Sequence, residues 1–132
     1  MKDKAFCAAL AVLCLTGVLF ACSKEKEPDD LAARTAELYY GYLLSGDVGS
    51  FVEGMDGYTQ LPDAYKAELR GNAGMYAEQQ KKVHGGLMAV TADRCEADST
   101  VGEVIMTFAY GDGTKEQVLV PMVRRHGLWL MR

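Results

Sequence analysis

Side chains able to act as acids, bases, nucleophiles or ligands are few in this chain, and most are spaced for other work. Asp47 and Asp56 are the only carboxylates in the helical region with tyrosines within reach, as acid–base catalysis would require. Asp47 reads better as a helix cap, and Asp56, directly before Gly57, as a turn residue. His84 falls at a helix end and His126 at a hairpin tip. Neither has a second histidine, cysteine or carboxylate at ligand spacing, so no metal site and no cofactor are expected. Ser99 and Thr100 have no histidine at a meaningful distance. Gly111-Asp112-Gly113 lies between two strands, where a phosphate loop would need a strand and a helix. Cys95, in a strand-like stretch, reads as a small half-buried residue. What remains is an aromatic set, Tyr39, Tyr42, Tyr65, Tyr76, Phe108, Tyr110 and Trp129. Hydroxyls bordering an apolar cleft suit a small apolar or aromatic ligand, and the same spacing also suits a filled core.

One cysteine has a separate chemistry. Lys2 and Lys4 precede an uncharged run from Ala5 to Phe20, followed by Ala21 and Cys22. This is the layout of a cleavable export signal, in competition with an uncleaved helix at the short limit of the roughly 17–25 residues that span a bilayer. Leu19, Ala21 and Cys22 resemble the bacterial lipobox, from which Phe20 departs. That resemblance implies cleavage before Cys22 and acylation of its thiol and new amine, hence an extracytoplasmic protein anchored to a bacterial membrane through lipid. Several acyl chains on one residue hold a protein stably, at about 0.8 kcal/mol per buried methylene. Ser23 resembles the outer-membrane retention signal. Glu25, Glu27, Asp29 and Asp30 resemble surface-export signals and equally suit a solvated tether. The expected division is a signal peptide over 1–21, lipidated cysteine and tether over 22–29, and a single domain over 30–132.

The full chain carries 14 basic and 18 acidic side chains. Without residues 1–21 the charge is −5 over 111 residues, enough for one domain and unsuited to general nucleic-acid binding. Only Cys95 is then left to the domain, which excludes an internal disulfide.

The elements that must position the aromatic set follow from periodicity. Leu31, Leu38, Tyr39, Tyr42 and Leu43 predict a helix to about Ser45, capped by Asp29 or Asp30 and ended by Gly46. Asp47 caps a second helix carrying Phe51, Val52 and Met55, which Gly57 stops. A third begins with Pro62 in its first turn and passes Tyr65, Leu69, Tyr76 and Val83 to Gly85-Gly86. Gly71 and Gly74 inside it imply a bend or a closely approaching backbone. The period then becomes 2, giving strands Leu87–Ala97, Thr100–Tyr110, Lys115–Arg125 and Leu128–Met131. A three-residue loop with Gly113 left-handed puts Val104, Met106, Phe108, Tyr110, Val118, Val120 and Met122 on one face. Ile105, Leu119 and Val123 make the other face apolar enough for a homodimer or an envelope partner.

Helices followed by an antiparallel meander predict an α+β domain, three N-terminal helices packed on a curved four-stranded sheet. This order resembles the nuclear transport factor 2-like cone, also called cystatin-like, whose ketosteroid isomerases use an aspartate base and an oxyanion hole. Tyr40, Ser45-Gly46-Asp47, Phe51-Val52, Gln79-Gln80-Lys81-Lys82, His84-Gly85-Gly86, Tyr110-Gly111-Asp112-Gly113 and Val120-Pro121-Met122-Val123 are similar to bacterial lipoproteins bearing a domain of unknown function. The resemblance implies a pocket between helices and sheet. The combined expectation is a non-catalytic, lipid-anchored binding domain, with an interaction module as the alternative and an isomerase or dehydratase less favoured.

Overall fold

The computed structural model describes residues 28–132. Cys22, the export signal and most of the tether lie outside the described residues, so those expectations are not addressed by it. Helix α1 (Pro28–Ser45) buries Ala32, Ala36, Tyr39 and Leu43, a stripe at spacings of four and three along one face. Helix α2 (Val48–Glu53) follows, then a 3₁₀ turn (Tyr58–Gln60) and helix α3 (Asp63–His84). Strands β1 (Leu87–Ala97), β2 (Val101–Tyr110), β3 (Lys115–Arg125) and β4 (Leu128–Met131) form one antiparallel sheet in sequence order. Among the described residues, no helix is long and apolar enough to cross a membrane.

The central hairpin has the expected register. Val104 faces Val120 and Met106 faces Val118, and Gly113 is left-handed at φ 85° in a loop closed by the Tyr110 N–H on Thr114 O. Val104, Met106, Phe108, Tyr110, Val120 and Met122 are all buried and meet the α1 stripe in a single core with Phe51, Val52, Tyr58, Trp129 and Met131. Asp47 caps α2 through the Ser50 N–H (3.1 Å).

Several boundaries and surfaces differ from expectation. Asp29 and Asp30 sit in the first turn of α1 and do not precede it. Asp29 Oδ1 accepts the Ala97 N–H at 3.0 Å, and Glu37 Oε1 accepts the Ala92 N–H at 2.6 Å, beside the bulge in β1. Both carboxylates thus serve the edge strand. Helix α2 stops at Gly54, short of Gly57. A Cβ at Gly54 would lie 2.5 Å from the Tyr39 ring, so the close approach of α1 selects glycine there. Pro62 is the N-cap of α3 and not its first residue.

A methyl group on Gly71 or Gly74 would meet nothing within 4 Å, so no other backbone approaches α3 at either position. Helix α3 buries no residue completely; Leu69, Ala73, Tyr76 and Ala77 are half-buried against the core. Its C-terminal end is held instead by backbone contacts. The Gly111 N–H donates to Gly86 O and the Asp112 N–H to His84 O, both at 2.9 Å.

Val123 corrects the expected outer face. It is 8% exposed although it lies outside the central core, flanked on the ladder by Val101 and Leu130. Ile105 is half-buried and Leu119 is 56% exposed.

Candidate functional site

The seven aromatic residues do not converge on one cleft. Tyr39, Phe108, Tyr110 and Trp129 are buried core, and Tyr39 donates its hydroxyl to Trp129 O at 2.8 Å. Tyr42 is half-buried against that core. Tyr65 is 56% exposed, near the start of the helix and one turn before Leu69, which packs on the core; it lines none of the cavities described below. Trp129 Nε1 is buried with no partner among the described residues.

Tyr76 and Tyr110 belong to a polar cluster at the far end of α3. Tyr110 donates to Glu116 Oε2 at 2.9 Å, with the Tyr76 hydroxyl 3.5 Å away. Burial, then Tyr76 and Glu116, push the Tyr110 hydroxyl far above its ordinary value. It is a fixed donor with no use as an acid. His84 Nδ1 lies 3.0 Å from Asp112 Oδ2. Asp112 also accepts the hydroxyl and N–H of Thr114, which closes the hairpin tip.

A partly open aromatic cavity lies elsewhere, between α1, the α2–α3 region and the ends of β3 and β4. It measures about 260 Å³ and is lined by Tyr40, Phe51, Met55, Asp56, Tyr58, Leu61 and Leu69 on the helical side and by Leu119, Val120, Pro121, Met131 and Arg132 of the strand ends; Leu119, expected at an interface, thus also touches the cavity. None of the seven predicted residues lines it. Tyr40 is the hinge of its wall, 5.1 Å from Phe51 edge-on and 5.0 Å from Phe108, distances at which aromatic pairs attract. Burial raises the Tyr40 hydroxyl above its usual range, with Tyr76 a smaller cause. Gly57, left-handed at φ 80°, starts the 3₁₀ turn that brings Tyr58 inward. A larger trough of about 820 Å³ runs along α3 past Gly71 and Gly74, but it holds no aromatic side chain.

Neither candidate base is free. Asp47 is bonded to Ser50 through both oxygens. Asp56 is at the cavity margin, yet both its oxygens accept from Arg125, at 2.8 and 2.9 Å. The Arg125 hydrogen bonds hold the Asp56 carboxyl below the usual carboxylate range, so it is a weak base. Cys95 is half-buried, and burial followed by the charge of Asp29 pushes its thiol up, away from a reactive thiolate. His126 occupies a left-handed turn position at φ 50°. Among the described residues no group of three metal-ligating side chains occurs.

The sequence signal for the true lining was present but ambiguous. Tyr40 follows Tyr39 by one residue, about 100° around the helix, and both are aromatic. Periodicity marks the stripe that meets the sheet, whereas the flank facing a cavity depends on where α2 lands.

No family model matches the chain, and no curated protein matches it. The fold matches a solved structure from Campylobacter jejuni, named an NTF2-like transpeptidase, with a TM-score of 0.60 and 14% identity over 73% of this chain and 92% of that one. At that identity the likeness concerns the fold alone. The described domain therefore has the nuclear transport factor 2-like architecture, three helices on a curled four-stranded antiparallel sheet.

Proposed function

We propose that this protein is a non-catalytic, lipid-anchored extracytoplasmic lipoprotein whose cone holds a small apolar or aromatic ligand. The observation that carries the reading is the cavity walled by Tyr40, Phe51, Met55, Tyr58, Leu61 and Leu69. At about 260 Å³ it is below the roughly 300–1,000 Å³ of sites for drug-sized molecules, which points to a compact ligand. The anchor rests on the lipobox-like sequence ending at Cys22. The non-catalytic part rests on the occupied carboxylates of Asp47 and Asp56. The acyl transfer implied by the Campylobacter protein's name would need an activated nucleophile, and the raised Cys95 thiol does not supply one.

Native mass spectrometry of the protein, purified gently from its source cell, tests the ligand. A discrete added mass, lost when Tyr40 is changed to Ala, is the expected result; a bare chain in every preparation overturns the reading. Labelling with a fatty-acid analogue, compared between the native chain and Cys22→Ala, tests the anchor separately.

One set of residues favours a second reading, an interaction module. Leu119, Leu128 and Val101 are 56%, 55% and 42% exposed on the sheet face turned away from the core, next to Ile105. Sedimentation of the native protein and of Leu119→Lys tests it. A dimer that Leu119→Lys converts to monomer supports that face, and a strict monomer with no binding partner counts against it.

A further inference from the structure

A second cavity lies at the C-terminal end of α1. It measures about 410 Å³ and is bounded by the last turns of α1 and α3 and by the start of β1; no residue lines both it and the aromatic cavity. Its volume falls within the roughly 300–1,000 Å³ of small-molecule sites. The apolar wall is Leu43, Leu44, Ala77, Leu87 and Met88, and Tyr76 is the one aromatic side chain in it. Leu44 is 38% and Met88 65% exposed, so large apolar side chains meet water inside a concave surface. Leucine and methionine walls adapt to a flexible aliphatic body, whereas the rings of the other cavity present flat faces.

Charge in this lining has one sign. Lys81 is the only charged residue that bounds the cavity, and no carboxylate does. The two helix ends beside it, whose carbonyls would repel an anion, are closed by other donors. The Gly46 N–H donates to Leu43 O and the Asp47 N–H to Tyr42 O, while the Gly86 N–H donates to Gln80 O and the Asp112 N–H to His84 O. Lys81 does hold Glu78, at 3.2 Å, but both side chains are about two-thirds exposed and the pair is a local one within α3. Exposed pairs of that kind contribute little. Glu78 lines the large trough along α3 and not this cavity, whereas Lys81 lines both. The Lys81 ammonium therefore stands where the two depressions meet, with three N–H donors to share between Glu78 and an anion in the cavity.

We infer that this cavity is a second binding site, which takes an unbranched aliphatic chain ending in a carboxylate: the chain lies against Leu44, Leu87 and Met88, and the carboxylate meets Lys81. The site is separate from the aromatic cavity and goes beyond the ligand proposed for it. Glu78 acts here as a built-in competitor for the same ammonium, so the affinity of the site for an anion depends on a residue that does not line it.

The test titrates octanoate and octan-1-ol calorimetrically into the full purified protein, with the heat of each probe into protein-free buffer subtracted. At low ionic strength octanoate is expected to bind about threefold or more tightly than the alcohol, the magnitude of one charge contact near solvent. That ratio should fall toward one in about 1 M salt, where charges are screened over roughly 3 Å. Lys81→Gln should remove the preference, and Glu78→Gln, which takes away the competitor, should raise it. Met88→Asp puts a carboxylate into the wall at an exposed position and should weaken octanoate binding about threefold or more. Equal affinities, or a tighter alcohol, overturn the anionic head. A preference that Lys81→Gln and Glu78→Gln leave unchanged overturns the assignment to Lys81, and octanoate binding untouched by Met88→Asp overturns the place of the site. Failure of both probes to bind removes the second site and leaves the aromatic cavity to be decided by its own native mass spectrometry.

Discussion

Tyr39 and Tyr40 are neighbours in sequence with opposite duties. Tyr39 is locked into the sheet by its hydroxyl on Trp129 O, with Gly54 beneath its ring. Tyr40 faces the cavity between Phe51 and Phe108. Gly54→Ala would drive a methyl into the Tyr39 ring at 2.5 Å, so a loss of about 1–3 kcal/mol is expected in urea unfolding. Gly54 has φ −77°, so any loss reports the clash and not backbone strain. The division between the two tyrosines was not legible in the chain, because both are aromatic, adjacent and near the helix face that meets the sheet. Asp47 was legible, since a cap is satisfied by the residue three positions on and needs nothing distant. Val123 shows the opposite case. Alternation assigns it correctly to the outer face, but its burial depends on the strands on either side.

Among the elements, α3 is held differently from α1. It spans 22 residues and completely buries none; Arg70, two turns in, ties it to Tyr58, and its C-terminal end is fixed by the β2–β3 hairpin. Gly71 lies in its interior with open space around it, and alanine there should raise stability by about 1 kcal/mol, read from the urea midpoint. A decrease would mean that the helix needs a glycine there. The hairpin end titrates. Hydrogen bonds from Thr114, and then from His84, hold the Asp112 carboxyl down to about 2. Its unfolded value is near 3.9, so the unfolded chain binds the proton first as pH falls. The stability Asp112 contributes is thus complete above about pH 4 and is lost as pH falls toward 2. Asp112→Asn should flatten the stability profile in that window, measured by urea unfolding at several pH values; an unchanged slope would show that Asp112 gains nothing from its partners. The boundaries of α3 were legible from Pro62 and Gly85-Gly86, which act locally. Its shallow seating was not, because the single stripe of Tyr65, Leu69, Tyr76 and Val83 reads the same along its length, yet only its middle, Leu69 and Tyr76, packs on the core while Tyr65 and Val83 toward the two ends are exposed.

For the molecule as a whole, the core is a seam between α1 and the inner face of β2 and β3, with α3 outside it. Amide exchange should therefore be slowest in α1 and β2 and much faster in α3, since local opening follows burial; equal protection in α1 and α3 would contradict this packing. The fold was legible at this scale because a period of 3.6 gives way to one of 2 at Gly85-Gly86, and the central register follows from one short loop. The cavity was not, since its walls come from five separate stretches of chain that only tertiary packing brings together. The treatment of the two outer strands has a wider consequence. Ala92 and Ala97 of β1 give their N–H groups to α1 carboxylates, and Met131 of β4 exchanges hydrogen bonds with Gly54 and Asp56. These groups are withdrawn from pairing with a neighbouring copy at those points of both edges, which lowers the tendency of crowded molecules to template fibril growth there.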